Sequence, residues 1–183
     1  MSILQSICHK ILFDWAGFRV DIGVELPRKC IIALAPHTSN WDFIIGVLYS
    51  RATGVRSLFL MKKEWFFWPV GILMRRLGGI PVYRNHRLHT TDIIAGHASK
   101  ADVFRLCITP EGTRKANAEW KRGFYYIALK ARIPILLYGL DYGQRRIVCN
   151  KTIYPDGDVE RQMDEIKEYF KGFTARHPRK FIV

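Results

Sequence analysis

The sequence predicts an α/β fold: a mostly parallel central sheet flanked by helices, in a single domain that carries an N-terminal amphipathic helix. Three observations predict it. Strand-like and helix-like segments alternate along the chain, the pattern of a parallel sheet with helical crossovers. Two runs, Ile31-Ile32-Ala33-Leu34-Ala35 and Ile133-Pro134-Ile135-Leu136-Leu137, are continuously apolar, as strands covered on both faces tend to be. The 183 residues are 49% hydrophobic, which suits one domain with a buried core. No internal repeat, low-complexity segment or long linker interrupts residues 1–183.

The elements follow in order. Ile3, Leu4, Ile7, Cys8, Ile11, Leu12 and Trp15 keep helical spacing, so residues 1–16 form an amphipathic helix. Its stripe suits either a core or a membrane interface. Strands are expected at Phe18–Val24, Cys30–Ala35, Ser57–Leu60, Ile80–Tyr83, Arg105–Thr109, Pro134–Leu140 and Arg146–Lys151. Helices are expected at Trp41–Arg51, Trp65–Arg76, Thr90–Lys100, Gly123–Ala131 and Val159–Phe173. Pro69 and Gly71 weigh against one long straight helix in the second of these. The segment from Trp65 to Met74 is aromatic and apolar almost throughout, and Lys62-Lys63 and Arg75-Arg76 flank it. It suits a membrane-dipping or acyl-lining role better than a core. The basic tail, residues 174–183, is expected to fray.

Charge narrows the partners without choosing one. The 29 Lys+Arg against 16 Asp+Glu leave a net charge of +13. Such a surplus favours anionic membrane, phosphorylated substrates or nucleic acid. Nucleic acid is disfavoured, because no zinc-finger, homeodomain or RNA-recognition signature is present and the aromatics do not interleave with basic residues. Cys8, Cys30, Cys107 and Cys149 fit no metal spacing, so no metal site and no disulfide is expected. No secretory signal is expected, and no apolar run approaches the ~18 residues that a spanning helix requires. The expected location is cytoplasmic, with peripheral, monotopic membrane association.

The chemistry concentrates in two short segments. His37 ends a buried strand and stands before a helix that Thr38 or Ser39 can cap. In an open α/β sheet, sites form at the carboxyl ends of the strands. A histidine there can accept a proton from an attacking hydroxyl. Asp42, in the first helical turn, can either orient His37 or complete a capping box with Ser39; the residues alone leave both open. Glu111-Gly112-Thr113-Arg114 follows another strand. Gly112 allows close backbone approach to a ligand, and Arg114 can grip an anion with paired donors. Arg84 closes the strand Ile80–Tyr83 and adds a second guanidinium. Lys62 and Lys121 are further candidates for a basic floor. Backbone N–H groups near Gly112 or in the Thr38–Asn40 turn are candidates for an oxyanion site.

These blocks resemble the glycerolipid and lysophospholipid acyltransferases. Their signature is a histidine, four residues and an aspartate, then Gly-x-x-x-x-Arg, then Glu-Gly-Thr-Arg, then an Ile-Pro strand. Here the blocks are His37 to Asp42, Gly79 to Arg84, Glu111 to Arg114, and Ile133-Pro134-Ile135, in the family's order. One departure is Pro36, where the family usually has asparagine. The resemblance implies His37 and Asp42 as catalytic residues. It implies substrate binding by Arg84, Glu111, Gly112, Thr113 and Arg114, with Lys121 beside them; Lys62 joins them by its place after a strand.

The expected reaction is transfer of a fatty acyl group from acyl-CoA or acyl-carrier protein to the hydroxyl of an anionic lyso-lipid. The first choice of acceptor is 1-acyl-glycerol-3-phosphate, in phospholipid biosynthesis. The thioester serves as co-substrate and no cofactor is needed. Alternatives are another lyso-lipid or an acylated amino acid as acceptor, a non-catalytic lipid-binding protein, and, from a different class, a basic nucleic-acid-binding module.

Overall fold

The structure is a computed structural model that describes residues 2–82 and 90–183. An eight-stranded sheet forms its centre. The strands are β1 (Arg19–Ile22), β2 (Lys29–Ala35), β3 (Leu58–Lys62), β4 (Gly79–Val82), β5 (Phe104–Ile108), β6 (Ile135–Asp141), β7 (Arg146–Cys149) and β8 (Thr152–Ile153). Their order is β1-β7-β6-β2-β5-β3-β4, with β8 also pairing β6. The helices are α1 (Ile3–His9), α2 (Asn40–Thr53), α3 (Val70–Arg76), α4 (Thr90–Lys100), α5 (Gly123–Ala131) and α6 (Val159–Phe170).

The five strands from β6 to β4 are mutually parallel. β7 and β8 run against β6, and β1 at the edge is parallel to β7. The chain between β7 and β8 steps the register by one residue: Gly139 faces Val148, whereas Leu136 faces Thr152. The expected single strand Arg146–Lys151 is therefore two short strands joined by a bulge, with the Leu137 N–H donating to the Lys151 carbonyl at 3.0 Å.

Pleat alternation explains the two-sided core. On β2, Ile31, Ala33 and Ala35 pack beneath α4, α5 and α6. Cys30 and Ile32 point the other way, with Leu12, Ile45 and Tyr49 of the α1–α2 layer. All of β6 is buried, as its unbroken apolar run requires.

Three further expected elements are corrected. The N-terminal helix winds as α-helix only to His9 and continues as a π-helix over Lys10–Trp15. The wider winding breaks the 3.6-residue phase. Leu12 is fully buried, while Trp15 ends 81% exposed. The expected helix Trp65–Arg76 is a 3₁₀ turn over Lys63–Trp65, and α3 follows only after Pro69 at its N-cap. Proline lacks the N–H that an interior helical position must donate. The tail 174–183 is not frayed. Ala175 is buried, and the Phe181 ring lies 6.1 Å from that of Trp120. Trp120 Nε1 donates to the Ile182 carbonyl at 3.0 Å. The charges of the tail are exposed while Ala175, Phe181 and Val183 rejoin the core.

Candidate active site

Parallel strands align their carboxyl ends on one edge, and the expected site residues follow those ends. His37 comes just after β2, Glu111 just after β5, and Lys62 is the last residue of β3. Ser39 caps α2, its side chain accepting from the Trp41 N–H at 3.2 Å. Asp42 completes a capping box. Its Oδ2 accepts from the Thr38 N–H at 2.7 Å and the Ser39 N–H at 2.8 Å. The same Oδ2 lies 3.3 Å from His37 Nδ1. One carboxylate therefore completes the capping box and also lies beside His37.

Burial opposes ionisation of Asp42, but the bonds from His37, Tyr142 and Ser39 outweigh it and hold its carboxyl below the usual aspartate value. His37 Nδ1 is itself buried and approaches Asp42 off the ideal hydrogen-bond line. Such bonds commonly straighten when substrate arrives. With Nδ1 turned to Asp42, Nε2 is the nitrogen left for a substrate proton.

Glu111 ties the second segment to the first. It is 4% exposed, and its Oε2 accepts from the His37 backbone N–H at 2.8 Å. Its Oε1 is buried without a hydrogen-bond partner among the described residues. Burial pushes the Glu111 carboxyl up to about 8; the His37 N–H opposes that rise and the Asp42 charge adds to it. Gly112 has φ +66°, and a Cβ there would sit 2.9 Å from Lys121 Cγ. Glycine is thus required twice, for the backbone angle and for the lysine stem that crosses it. The Lys121 N–H anchors that crossing by donating to the Pro110 carbonyl at 2.7 Å.

Thr113 Oγ1 accepts from the Lys115 N–H at 3.2 Å and closes the turn. Arg114 and Lys62 are exposed. Arg84 lies outside the described residues. The oxyanion candidates narrow, because Thr38 and Ser39 spend their N–H groups on Asp42, and Gly112 donates to the Thr109 carbonyl at 3.0 Å.

Sequence reasoning missed Tyr142, which follows β6. Its hydroxyl donates to Asp42 Oδ1 at 2.6 Å. It also missed the C-terminal segment, where the His177 N–H donates to Thr38 Oγ1 at 3.2 Å. The Arg176 guanidinium lies 5.3 Å from the Trp41 ring centroid and 5.7 Å from that of Tyr142. No local pattern marks these residues. Only the closing of the sheet brings them to the corner after β2.

A histidine beside a dry carboxylate at the carboxyl edge of a parallel sheet is an arrangement that can take up and return a proton. The chain belongs to the acyltransferase family, whose model matches residues 18–137. It is similar to human 1-acyl-sn-glycerol-3-phosphate acyltransferase beta, at 27% identity over 147 residues, covering 74% of this chain and 51% of that protein. It thus spans about half the length of that relative. The solved 1-acyl-sn-glycerophosphate (LPA) acyltransferase PlsC from Thermotoga maritima shares the fold, with a TM-score of 0.66 at 19% identity over 92% of this chain and 77% of that one.

Proposed function

We propose that the chain is an O-acyltransferase of the 1-acyl-glycerol-3-phosphate type. It would take a fatty acyl group from acyl-CoA or acyl-carrier protein and place it on the hydroxyl of an anionic lyso-lipid. The observation that carries this reading is His37 Nδ1 held 3.3 Å from a fully buried Asp42. A thioester is already activated, so the difficult partner is a neutral alcohol. His37 Nε2 takes the hydroxyl proton as the oxygen attacks the thioester carbonyl. The tetrahedral intermediate then expels the thiolate, which leaves with that proton as a thiol. Asp42 stabilises the imidazolium between the two steps. Exposed Arg114, Lys62 and Lys121, together with Arg84, supply positive charge for the acceptor's phosphate.

Membrane access belongs to the same reading. Among the described residues no helix is long and apolar enough to cross a bilayer. Yet Ile3, Leu4, Ile7 and Trp15 are exposed, as are Trp65, Phe67, Ile72 and Leu73, and Trp68 is 82% exposed. These two groups flank α2: α1 packs along it, and Arg51 Nη2 of α2 donates to the Arg76 carbonyl that ends α3 at 3.1 Å. Apolar side chains with basic neighbours suit peripheral docking on an anionic, cytoplasmic leaflet. The test is incubation of the purified protein with lysophosphatidic acid, other lyso-lipids and both donor types, with products read by mass spectrometry. The wild type should yield phosphatidic acid and His37→Ala should yield none. Product from His37→Ala above about a tenth of the wild-type rate, more than loss of a general base allows, would sink the assignment.

A further inference from the structure

We infer that Tyr142 is a positioning residue of the acyl transfer, seated by the C-terminal segment Phe173–His177. The inference rests on the reading of His37 as base and adds a member that the matched family region, which ends at residue 137, does not contain.

The argument starts from Asp42. Its Oδ2 is committed to two backbone donors and to His37. Its Oδ1, inside a fully buried residue, has one described donor, the Tyr142 hydroxyl at 2.6 Å. Asp42 also borders a mostly apolar cavity of about 50 Å³, with Ile45, Gly46, Tyr49 and Leu140 in its lining. A bond to a buried charged group fixes the plane of the carboxylate. That plane decides whether Oδ2 faces the imidazole.

The placement of Tyr142 has its own supports. Its backbone N–H donates to the Thr174 carbonyl at 2.8 Å. The Arg176 guanidinium covers its ring on one side, and Phe18 meets it edge-on at 6.0 Å. Phe173 lies so close to Gly139 of β6 that a Cβ there would sit 2.1 Å from the ring. The His177 N–H then reaches back to Thr38, in the turn whose backbone holds Asp42. One segment therefore clamps both the phenol and the loop that presents the carboxylate.

The ionisable groups facing Asp42 are His37 from the corner after β2, Glu111 after β5 and Tyr142 after β6, with Arg176 beyond the phenol. Burial and the bond to Asp42 raise the Tyr142 phenol, which keeps it a donor. Without that donor, the Asp42 charge is less shared and attracts the imidazole proton more strongly. His37 must lose that proton before it can act as base, so activity would fail at a higher pH.

The test compares Tyr142→Phe with wild type in kcat, KM and pH profile, alongside melting temperature. Arg176→Ala serves as a second, surface variant, and His37→Ala as reference. Tyr142→Phe should lower kcat about ten- to hundred-fold, the scale of one hydrogen bond to a charged group. KM for both substrates should change little, and the acid limb of kcat/KM should move to higher pH. Arg176→Ala should move it the same way by less. An unmoved acid limb in Tyr142→Phe, with or without a fall in kcat, would mark Tyr142 as a packing residue and overturn the inference. An active His37→Ala would instead overturn the parent reading, so the two failures are distinguishable.

Discussion

Asp42→Asn separates the two duties of this residue. The backbone donors of Thr38 and Ser39 converge on one carboxylate oxygen, at 2.7 and 2.8 Å. An asparagine must present its amide oxygen there, since its NH₂ would meet two N–H groups. The NH₂ then faces the Tyr142 hydroxyl, which can turn and accept. The cap survives and the charge disappears. A full imidazolium 3.3 Å from that carboxylate gains about 5 kcal/mol at an effective dielectric of about 20. The proton is only partly transferred in the transition state, so about half is at stake, or ~10²-fold in kcat. Steady-state kinetics should show that loss, with a melting temperature within a few degrees of wild type. Asp42→Ala should lose the activity as well, and in addition about 1 kcal/mol or more of capping. At this chain length that is about 2–4 °C per kcal/mol. If Asp42→Asn kept more than a third of wild-type kcat, Asp42 would be a helix cap only. If it melted as early as Asp42→Ala, the orientation argued for the amide would be wrong.

Glu111→Gln should flatten the dependence of melting temperature on pH. The folded carboxyl is raised to about 8, so the folded chain holds a proton that the unfolded chain releases near 4.5. Stability should therefore fall as pH rises between those values in wild type, and much less in the glutamine variant; parallel curves would refute it. Arg114→Lys should raise KM for a phosphate-bearing acceptor about tenfold, because a lysine cannot form the paired contact. Equal losses on a neutral acceptor would show a structural role instead. Replacing Trp65, Phe67 and Trp68 together with serine should weaken sedimentation with anionic vesicles at unchanged melting temperature. Phe66 is left in place because its backbone packs against Gly71 and Arg75 covers its ring at 5.3 Å. Unaltered vesicle binding would remove this segment as an anchor.

The sheet was legible because β2 and β6 are apolar at every pleat, and burial on both faces leaves that mark in sequence. The pair His37 and Asp42 was legible because a capping signal and a base stand within one turn of each other. The boundaries of α3 and of the N-terminal helix were not. A helical pattern cannot reveal where Pro69 delays the helix or where i→i+5 bonds replace i→i+4 over Lys10–Trp15. Tyr142 was invisible for a different reason. It stands one hundred residues from Asp42, and nothing near it in sequence speaks of a carboxylate. The tail misled because Arg176, His177, Arg179 and Lys180 dominate its composition, while Ala175 and Phe181 decide where it lies.

The parallel edge also works as a ruler. Neighbouring strands lie about 4.8 Å apart. The corner that presents His37 follows β2, the turn holding Glu111 follows its neighbour β5, and Lys62 ends β3 one strand further. On the proposed function, an acceptor whose negative charge sits close to its reacting hydroxyl would meet the first interval, at the turn that carries Arg114. One that carries its charge about twice as far away would meet the second. These intervals are set by main-chain hydrogen bonding, which no side-chain substitution alters. On the proposed function, selectivity between short and long headgroups would be a property of the strand order, and shifting it would require exchanging the loops that rise from β5 and β3 rather than single residues within them.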